Sequence, residues 1–401
     1  MMRSRPLAPL AILAACATLA ACGGGTQLIR APDQGIHAKT PQAGERLGFP
    51  ALATKNTTRV GGGDPTADAA GVALAVYPSS APGTHPSAVT LTPTDDWEAS
   101  IASSVLMSPP IRAPILFSNG STLPSATADA LHLLAPSGAG AAGGAQVIRV
   151  GNVAAPTGLR AASISANNPF ALAAAVDRFV SAAAGRASSD VVIASADDPA
   201  YAMPAAGWSA ESGDPILFVS GSGIPQATRQ ALLSHQGPRI YVLGPPSVIP
   251  NSVFNQLRKY GTVKRVGAPN PPDNSVAFAI YRDPPCPFGQ PCAHVPGSFG
   301  WAMRSPGHGY VLLNANRPLD AAASAPLSAS GSYGPQLLIN NASQLPGPVL
   351  NFFLNFATPG YTQEGPTAAV YNHGWVIGDP AAISLSVQAE MDSLLEAVPQ
   401  K

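Results

Sequence analysis

The chain has 401 residues, room for two or three domains of ~100–200 residues each. Its 22 basic and 22 acidic residues balance, and only 11% of the chain is charged, against roughly 25% in an average soluble protein. Such a balance supplies neither a basic field to gather nucleic acid nor an acidic tail, and 39 glycines with 43 prolines favour short elements and many turns.

The start of the chain is positive, with Arg3 and Arg5, and Leu7 to Ala21 is apolar. That stretch is too short to span a bilayer and ends in small residues, as a secretory signal does. It closes on Leu19-Ala20-Ala21-Cys22-Gly23, which resembles a bacterial lipobox. In proteins with that motif the Cys thiol receives diacylglycerol and the signal is cleaved just before it. A second match, Leu13-Ala14-Ala15-Cys16-Ala17, lies upstream; Cys22 is preferred because it leaves a longer apolar region and precedes Gly23-Gly24-Gly25. The plainer alternative is an ordinary signal with chance cysteines. The expectation is a signal over residues 1–21, Cys22 lipidated, and a polar tether over 22–56. Two or more acyl chains hold a protein on a membrane stably, where one does not.

From about residue 57 the same stations recur three times. Each repeat opens with a basic residue and an extended stretch: Arg59-Val60-Gly61-Gly62-Gly63, Arg160-Ala161-Ala162-Ser163-Ile164 and Arg265-Val266-Gly267. An Ala-rich helix is predicted next, over Thr66 to Val76, Pro169 to Ala183 and Asn274 to Tyr281. A buried strand follows at 88–92, 191–194 and 310–313, and after it come Asp95-Asp96, Asp197-Asp198 and Asn314-Ala315-Asn316-Arg317-Pro318-Leu319-Asp320. Small-residue helices such as Ala321 to Ala325 come next. Then a Pro-led apolar run leads into a polar turn and Leu-Pro or Ile-Pro: Pro114-Ile115-Leu116-Phe117 to Pro124, Pro215-Ile216-Leu217-Phe218 to Pro225, and Pro335-Gln336-Leu337-Leu338 to Pro346. Helices enter after those prolines, with Pro suited to the first turn and the polar turn supplying caps. A last strand ends in a Gly turn at Gly151, Gly244 and Gly378, and short helices close the unit. A period of about 100 to 120 residues means one domain type used three times. Helices alternating with buried apolar strands predict parallel α/β sheets. The boundaries fall at 57–157, 158–262 and 263–399. The third repeat carries an insertion at 283–300, where Cys286 and Cys292 read as a small disulfide-closed loop of an exported protein. His294 is the one further ligand a metal there could use, so no metal is expected.

Taken together these stations resemble the cell wall-binding repeat family, type 2, of Gram-positive surface proteins and wall hydrolases. The likeness rests on Arg59-Val60-Gly61-Gly62-Gly63-Asp64, Arg265-Val266-Gly267, Ala113-Pro114-Ile115-Leu116, Asp214-Pro215-Ile216-Leu217, Asp320-Ala321-Ala322-Ala323, Val150-Gly151-Asn152, Leu243-Gly244-Pro245 and Ile377-Gly378-Asp379. It departs from the family in lacking the Arg-Tyr of the opening station in all three copies. It implies three tandem Rossmann/Toprim-like α/β repeats with mostly parallel sheets packed with pseudo-threefold symmetry, and non-covalent binding of an anionic cell-wall polymer.

The chain shows no Gly-x-Ser-x-Gly elbow, no phosphate loop and no His-Glu-x-x-His, and its seven histidines are dispersed. No enzyme and no cofactor are expected. Asp96, Asp198 and Asp320 follow strands at the carboxyl edge, where open α/β sheets bind ligands, though helix capping explains Asp there equally well. Arg59, Arg160 and Arg265 could pair with a polymer's phosphates or carboxylates, or bond neighbouring turns structurally. Trp97, Trp208, Trp301 and Trp375 could stack sugars or fill the core. The expectation is an extracytoplasmic lipoprotein, lipid-anchored to the cell membrane, that ties membrane to wall polymer without catalysis. The rival is a solute-binding lipoprotein serving a transporter, which has two lobes and no threefold repetition.

Overall fold

A computed structural model describes residues 52–286, 297–331, 333–361, 365, 367 and 369–399, all within one compact unit, Ala38–Lys401. The signal, Cys22, most of the tether, Cys292 and His294 lie outside the described residues. The described chain opens with β1 (Leu52–Ala53), antiparallel to β2 (Thr57–Val60). The first unit runs α1 (Pro65–Val76), β3 (Val89–Pro93), α2 (Trp97–Ala102), β4 (Ile115–Ser118), α3 (Ser125–Leu134), β5 (Val147–Val150) and β6 (Ala161–Ile164). The second runs α4 (Pro169–Ala184), β7 (Asp190–Ser195), α5 (Pro199–Ser212), β8 (Ile216–Val219), α6 (Gln226–Ser234), β9 (Arg239–Leu243), α7 (Asn251–Leu257) and β10 (Thr262–Val266). The third runs α8 (Pro271–Ile280), β11 (Gly309–Asn314), α9 (Pro318–Ser328), β12 (Gln336–Ile339), α10 (Gly347–Phe352), β13 (Gly360–Tyr361), β14 (His373–Ile377), α11 (Leu385–Leu394) and β15 (Val398–Pro399).

The three main sheets share one order, β4-β3-β5-β6, β8-β7-β9-β10 and β12-β11-β14-β2, and every pairing within those orders is parallel. The opening strand of each repeat therefore completes the sheet of the repeat before it. β2, from the start of the chain, completes the last sheet and closes the ring. The result is three α/β units related by a pseudo-threefold.

The sequence explains the pattern locally. β3, β7 and β11 are buried along their whole length; β7 and β11 carry the Val/Leu/Ile run that a strand covered on both faces requires, and β3 is buried with Thr90 and Thr92 flanking Leu91. The Pro-led strands β4, β8 and β12 all lie at sheet edges. Pro114, Pro215 and Pro335 use only their carbonyls, accepting from the N–H of Thr90, Val192 and Val311 at 2.9, 3.0 and 3.1 Å. Proline has no N–H to lose, so the start of an edge strand is where it costs nothing. At the next station the capping differs from expectation. Pro124, Pro225 and Pro346 occupy the N-cap itself, with no side-chain cap. The Thr127 and Thr228 hydroxyls instead donate to the Phe117 and Phe218 carbonyls at 2.6 and 2.7 Å, fastening helix to strand.

At the centre, α2 with the 3₁₀ turn Ser103–Met107, α5 and α9 pack against one another. Their facing residues are small, among them Ala202, Ala206, Ala321, Ala325 and Ser328, so the axes can approach closely. Gly207 shows how closely: a Cβ there would lie 2.6 Å from the Ser328 hydroxyl. Beside it Gln336 donates to the Ala321 carbonyl at 2.7 Å and accepts from the Gly207 N–H at 3.2 Å, stitching α5, α9 and β12 together.

Candidate ligand groove at the carboxyl edge

In each sheet the chain leaves the central strand for one neighbour and returns to the other side, so the strand order reverses beside β3, β7 and β11. Outside the carboxyl ends at such a reversal the loops part and leave a crevice. Three equivalent crevices result. Each is bounded by the loop after the central strand, the Gly turn after the third strand, and the loop into the next unit's first helix.

In the first unit that crevice is a cavity of about 390 Å³. Its walls are Asp95, Asp96 and Glu98 on one side, Gly151 and Asn152 on the second, and Asn167, Asn168 and Pro169 on the third, with Leu172 in its lining. Asp96 caps α2, accepting from the Ala99 N–H at 2.8 Å, and Asn168 caps α4, accepting from the Ala171 N–H at 2.9 Å. Burial raises the Asp96 and Glu98 carboxyls above their ordinary range. The hydrogen bond between them favours the charge on Asp96 and the proton on Glu98. Asp95 is exposed. It is shared with a second cavity of about 340 Å³ lined by Pro65, Thr94, Trp97, Asn316, Arg317 and Leu319. Asp95 lines both cavities, and the neighbouring pair is the candidate groove. The half-buried Trp97 is held edge-on by Phe218, centroids 5.6 Å apart.

The groove is rich in hydrogen-bond acceptors. Its cation, Arg317, donates to Asp68 at 2.8 Å and to Asp320. Both of those aspartates are fully buried, and burial pushes both carboxyls up; a single guanidinium serves two of them.

The predicted site residues scatter. Asp96 lines the groove, and Asp198 holds the equivalent place before α5. Asp320 is buried against Arg317 and faces no ligand. Arg59 is 1% exposed, and its guanidinium donates to the Gln388 side chain at 2.9 Å and to the Gly378 and Ile383 carbonyls at 2.7 Å each. Burial lowers its pKa to about 10, so it stays charged at neutral pH. Arg265 makes the same contacts one unit earlier, to the Gly244 and Ile249 carbonyls at 2.7 and 2.9 Å. Both arginines therefore do the structural job of bonding neighbouring turns, which leaves a polymer little to reach. Arg160 is not their counterpart. The register places Ser163 there, opposite Arg149, as Arg265 lies opposite Val242 and Arg59 opposite Val376. In the first sheet the arginine sits on the neighbouring strand: Arg149 takes the Ala154 and Val153 carbonyls at 2.9 and 2.6 Å. Arg160 is exposed at the amino end of β6, away from the groove. Asn152, Asn167 and Asn168 escaped sequence reasoning, although Asn-Asn-Pro ahead of a helix is a recognisable cap signal. Trp97 does line the groove; Trp208 and Trp301 are core.

A larger cavity, about 450 Å³, lies at the opposite edge, by the amino ends of β7 and β8. Its carboxylates are engaged. Asp214 accepts from Ser188 and from the Trp208 indole at 2.7 and 2.8 Å, and Asp190 pairs with Arg239.

Residues 163–254 match the family described as cell wall binding domain 2 (CWB2). That stretch runs from the end of β6 through the second unit into α7. Among solved structures the chain is similar to Cwp8 from Clostridium difficile, with a TM-score of 0.62 and 16% identity over 86% of this chain and 53% of that one. It is also similar to Cwp6 from the same organism, with a TM-score of 0.64 and 16% identity over 85% of this chain and 48% of that one. At that identity the likeness shows the fold, and the chain spans about half the length of either protein. Among curated proteins none matches the chain.

Proposed function

We propose that this chain, whose second unit matches a cell wall binding domain 2 and whose other two units repeat that architecture, binds a cell-wall polymer through the carboxyl-edge groove. The observation that carries the reading is the groove's position, at the strand reversal of a unit built like the matched one, with acceptors on three walls. Wall glycopolymers bear charged groups and sugar hydroxyls. Asp95, Asp96, Asn152 and Asn167 suit the hydroxyls, and Trp97 offers a ring for a sugar face. The anionic groups that the family resemblance implies would face solvent, since Arg59, Arg265 and Arg317 are engaged within the protein. No enzymatic step is part of this reading.

Lipidation at Cys22 would fix the other end of the chain to the membrane and place the groove on the extracytoplasmic side. The chain then ties membrane to wall. A solute-binding lipoprotein would show two lobes, and three like units argue against it.

The test is co-sedimentation of the chain with purified wall, before and after its secondary polymers are stripped. Binding that vanishes on stripping is the expected result. Equal binding, or none, to both preparations would end the polymer reading. Because the contacts proposed are to hydroxyls, binding should weaken only slightly between low and physiological salt, whereas phosphate-directed binding falls steeply.

A further inference from the structure

The three crevices are equivalent by topology and unequal in content, and the difference traces to the N-cap and first turn of one helix. The third residue of α2, α5 and α9 is Ala99, Tyr201 and Asp320. In the second crevice the Tyr201 ring, 5% exposed, fills the space. Its hydroxyl donates to the Pro269 carbonyl at 2.7 Å, and its Cδ1 stands 3.6 Å from where a Cβ on Gly244 would be. Pro269 and Gly244 are the counterparts of Asn167 and Gly151 in the first crevice, each preceding the helix N-cap or ending the third strand. In the third crevice Arg317 lies across the space at the Gly turn, its guanidinium carbon 3.7 Å from where a Cβ on Gly378 would be, and binds Asp68 and Asp320 beneath, so that what stays open there is the outer cavity between Pro65, Asn316 and Asp95. In the first, Ala99 reaches none of this, and the cavity remains.

We infer that only the first crevice takes ligand, one polymer segment per chain. The second is filled by Tyr201, and in the third Arg317 takes the space at the Gly turn and leaves only the outer cavity that borders Asp95; both serve to hold the ring together. Resting on the wall-polymer reading above, this also fixes the class of the bound segment. Carboxylates and carboxamides line the first cavity without a cation, and the Arg317 beside the adjoining one is held by two aspartates, so the bound segment presents hydroxyls and leaves its phosphate or carboxylate groups outside.

The probe is a short glycopolymer fragment released from purified wall by mild acid and titrated calorimetrically into the full chain in detergent. Parallel titrations use Asn167→Trp, which fills the first crevice from an exposed loop, and Pro269→Trp, its counterpart at the second, with thermal melts as the folding control. The expected outcome is one fragment bound per chain, affinity reduced at least about tenfold by Asn167→Trp, and no change with Pro269→Trp. A parent stoichiometry of two or three, or binding that survives Asn167→Trp or is lost with Pro269→Trp, would overturn the inference while leaving wall binding intact. Failure of the parent chain to bind the fragment at all would remove the wall-polymer reading and this inference with it.

Discussion

At the scale of single residues, the arginines decide how the Gly turns are held. Arg59 satisfies carbonyls of a buried turn, and removing it orphans them at ~1–3 kcal/mol per group. Arg59→Met should therefore cost at least ~3 kcal/mol in a chemical denaturation. The first sheet offers a sharper experiment, because its arginine has moved one strand over. Arg149→Leu should destabilise by roughly 1–2 kcal/mol, and adding Ser163→Arg should return most of it, since the register puts both side chains beside the same turn. If the double variant is no better than the single one, the two positions are not interchangeable.

The Asp68–Arg317–Asp320 triad makes a pH prediction of definite sign. Burial raises both carboxyls, so as pH climbs above about 4 the unfolded chain releases protons that the folded chain keeps, and stability falls. Asp68→Asn should flatten that fall and stabilise the protein at pH 8 by roughly 1–2 kcal/mol, one pK unit being worth ~1.4 kcal/mol. The same protein already shows an amide working at the equivalent place. Asn274 accepts from the Ala268 N–H as Asp68 accepts from that of Gly62. Melting curves at pH 5 and pH 8 would check it; a variant that melts lower than the parent at pH 8 would contradict it.

At the scale of elements, α4 is tied to the end of α6 by a histidine with acceptors on both ring nitrogens. His235 meets the Ser188 carbonyl at 2.8 Å through Nδ1 and Asp177 at 2.9 Å through Nε2, a pattern that suits the imidazolium. Burial opposes the charge, but Asp177 outweighs it, and the pKa lies above the usual histidine value. A raised basic group stabilises fully below its unfolded pKa, near 6.5, and that contribution is lost as pH rises through the higher folded value. His235→Gln should abolish this part of the pH dependence, readable as hydrogen-exchange protection of α6 from pH 6 to pH 9.

Elements were also what the sequence disclosed best. The buried runs of β3, β7 and β11 and the helices after Pro124, Pro225 and Pro346 follow from periodicity and punctuation, which are local signals. Sheet membership is not local. Nothing in Thr57–Val60 tells that its partner is Gly374–Ile377, because a four-residue strand does not encode its neighbour. The site behaved likewise. Asp96 stood out beside a strand end, whereas the groove needs Asn152 and Asn167 from loops on two further segments. Arg160 misled because the first repeat had exchanged its arginine across a strand pair.

At the scale of the whole molecule, that non-local pairing is the clasp of the ring. β2 covers the edge of β14, and its first residue and those leading to it are pinned to α11 and the residues just after it. The Asn56 N–H donates to Asp392 at 2.7 Å, Thr54 bonds the same carboxylate, Lys55 pairs with Glu396, and Thr57 accepts from Gln388 at 3.1 Å. A chain cut after Val60 would lose the closing strand and Arg59 together, leaving a bare parallel edge and the orphaned carbonyls of the Gly378 turn. Exposed edges of that kind recruit other chains. Such a truncation should melt well below the parent and elute as aggregate in size-exclusion chromatography. Supplying residues 52–60 as a separate peptide should recover monomer in a dose-dependent way, because the lost interactions are a strand addition and a side-chain plug that need no covalent continuity. Recovery should fail for a peptide carrying Arg59→Met, which keeps the strand and removes the plug. Equal rescue by both peptides would mean that backbone pairing alone closes the ring.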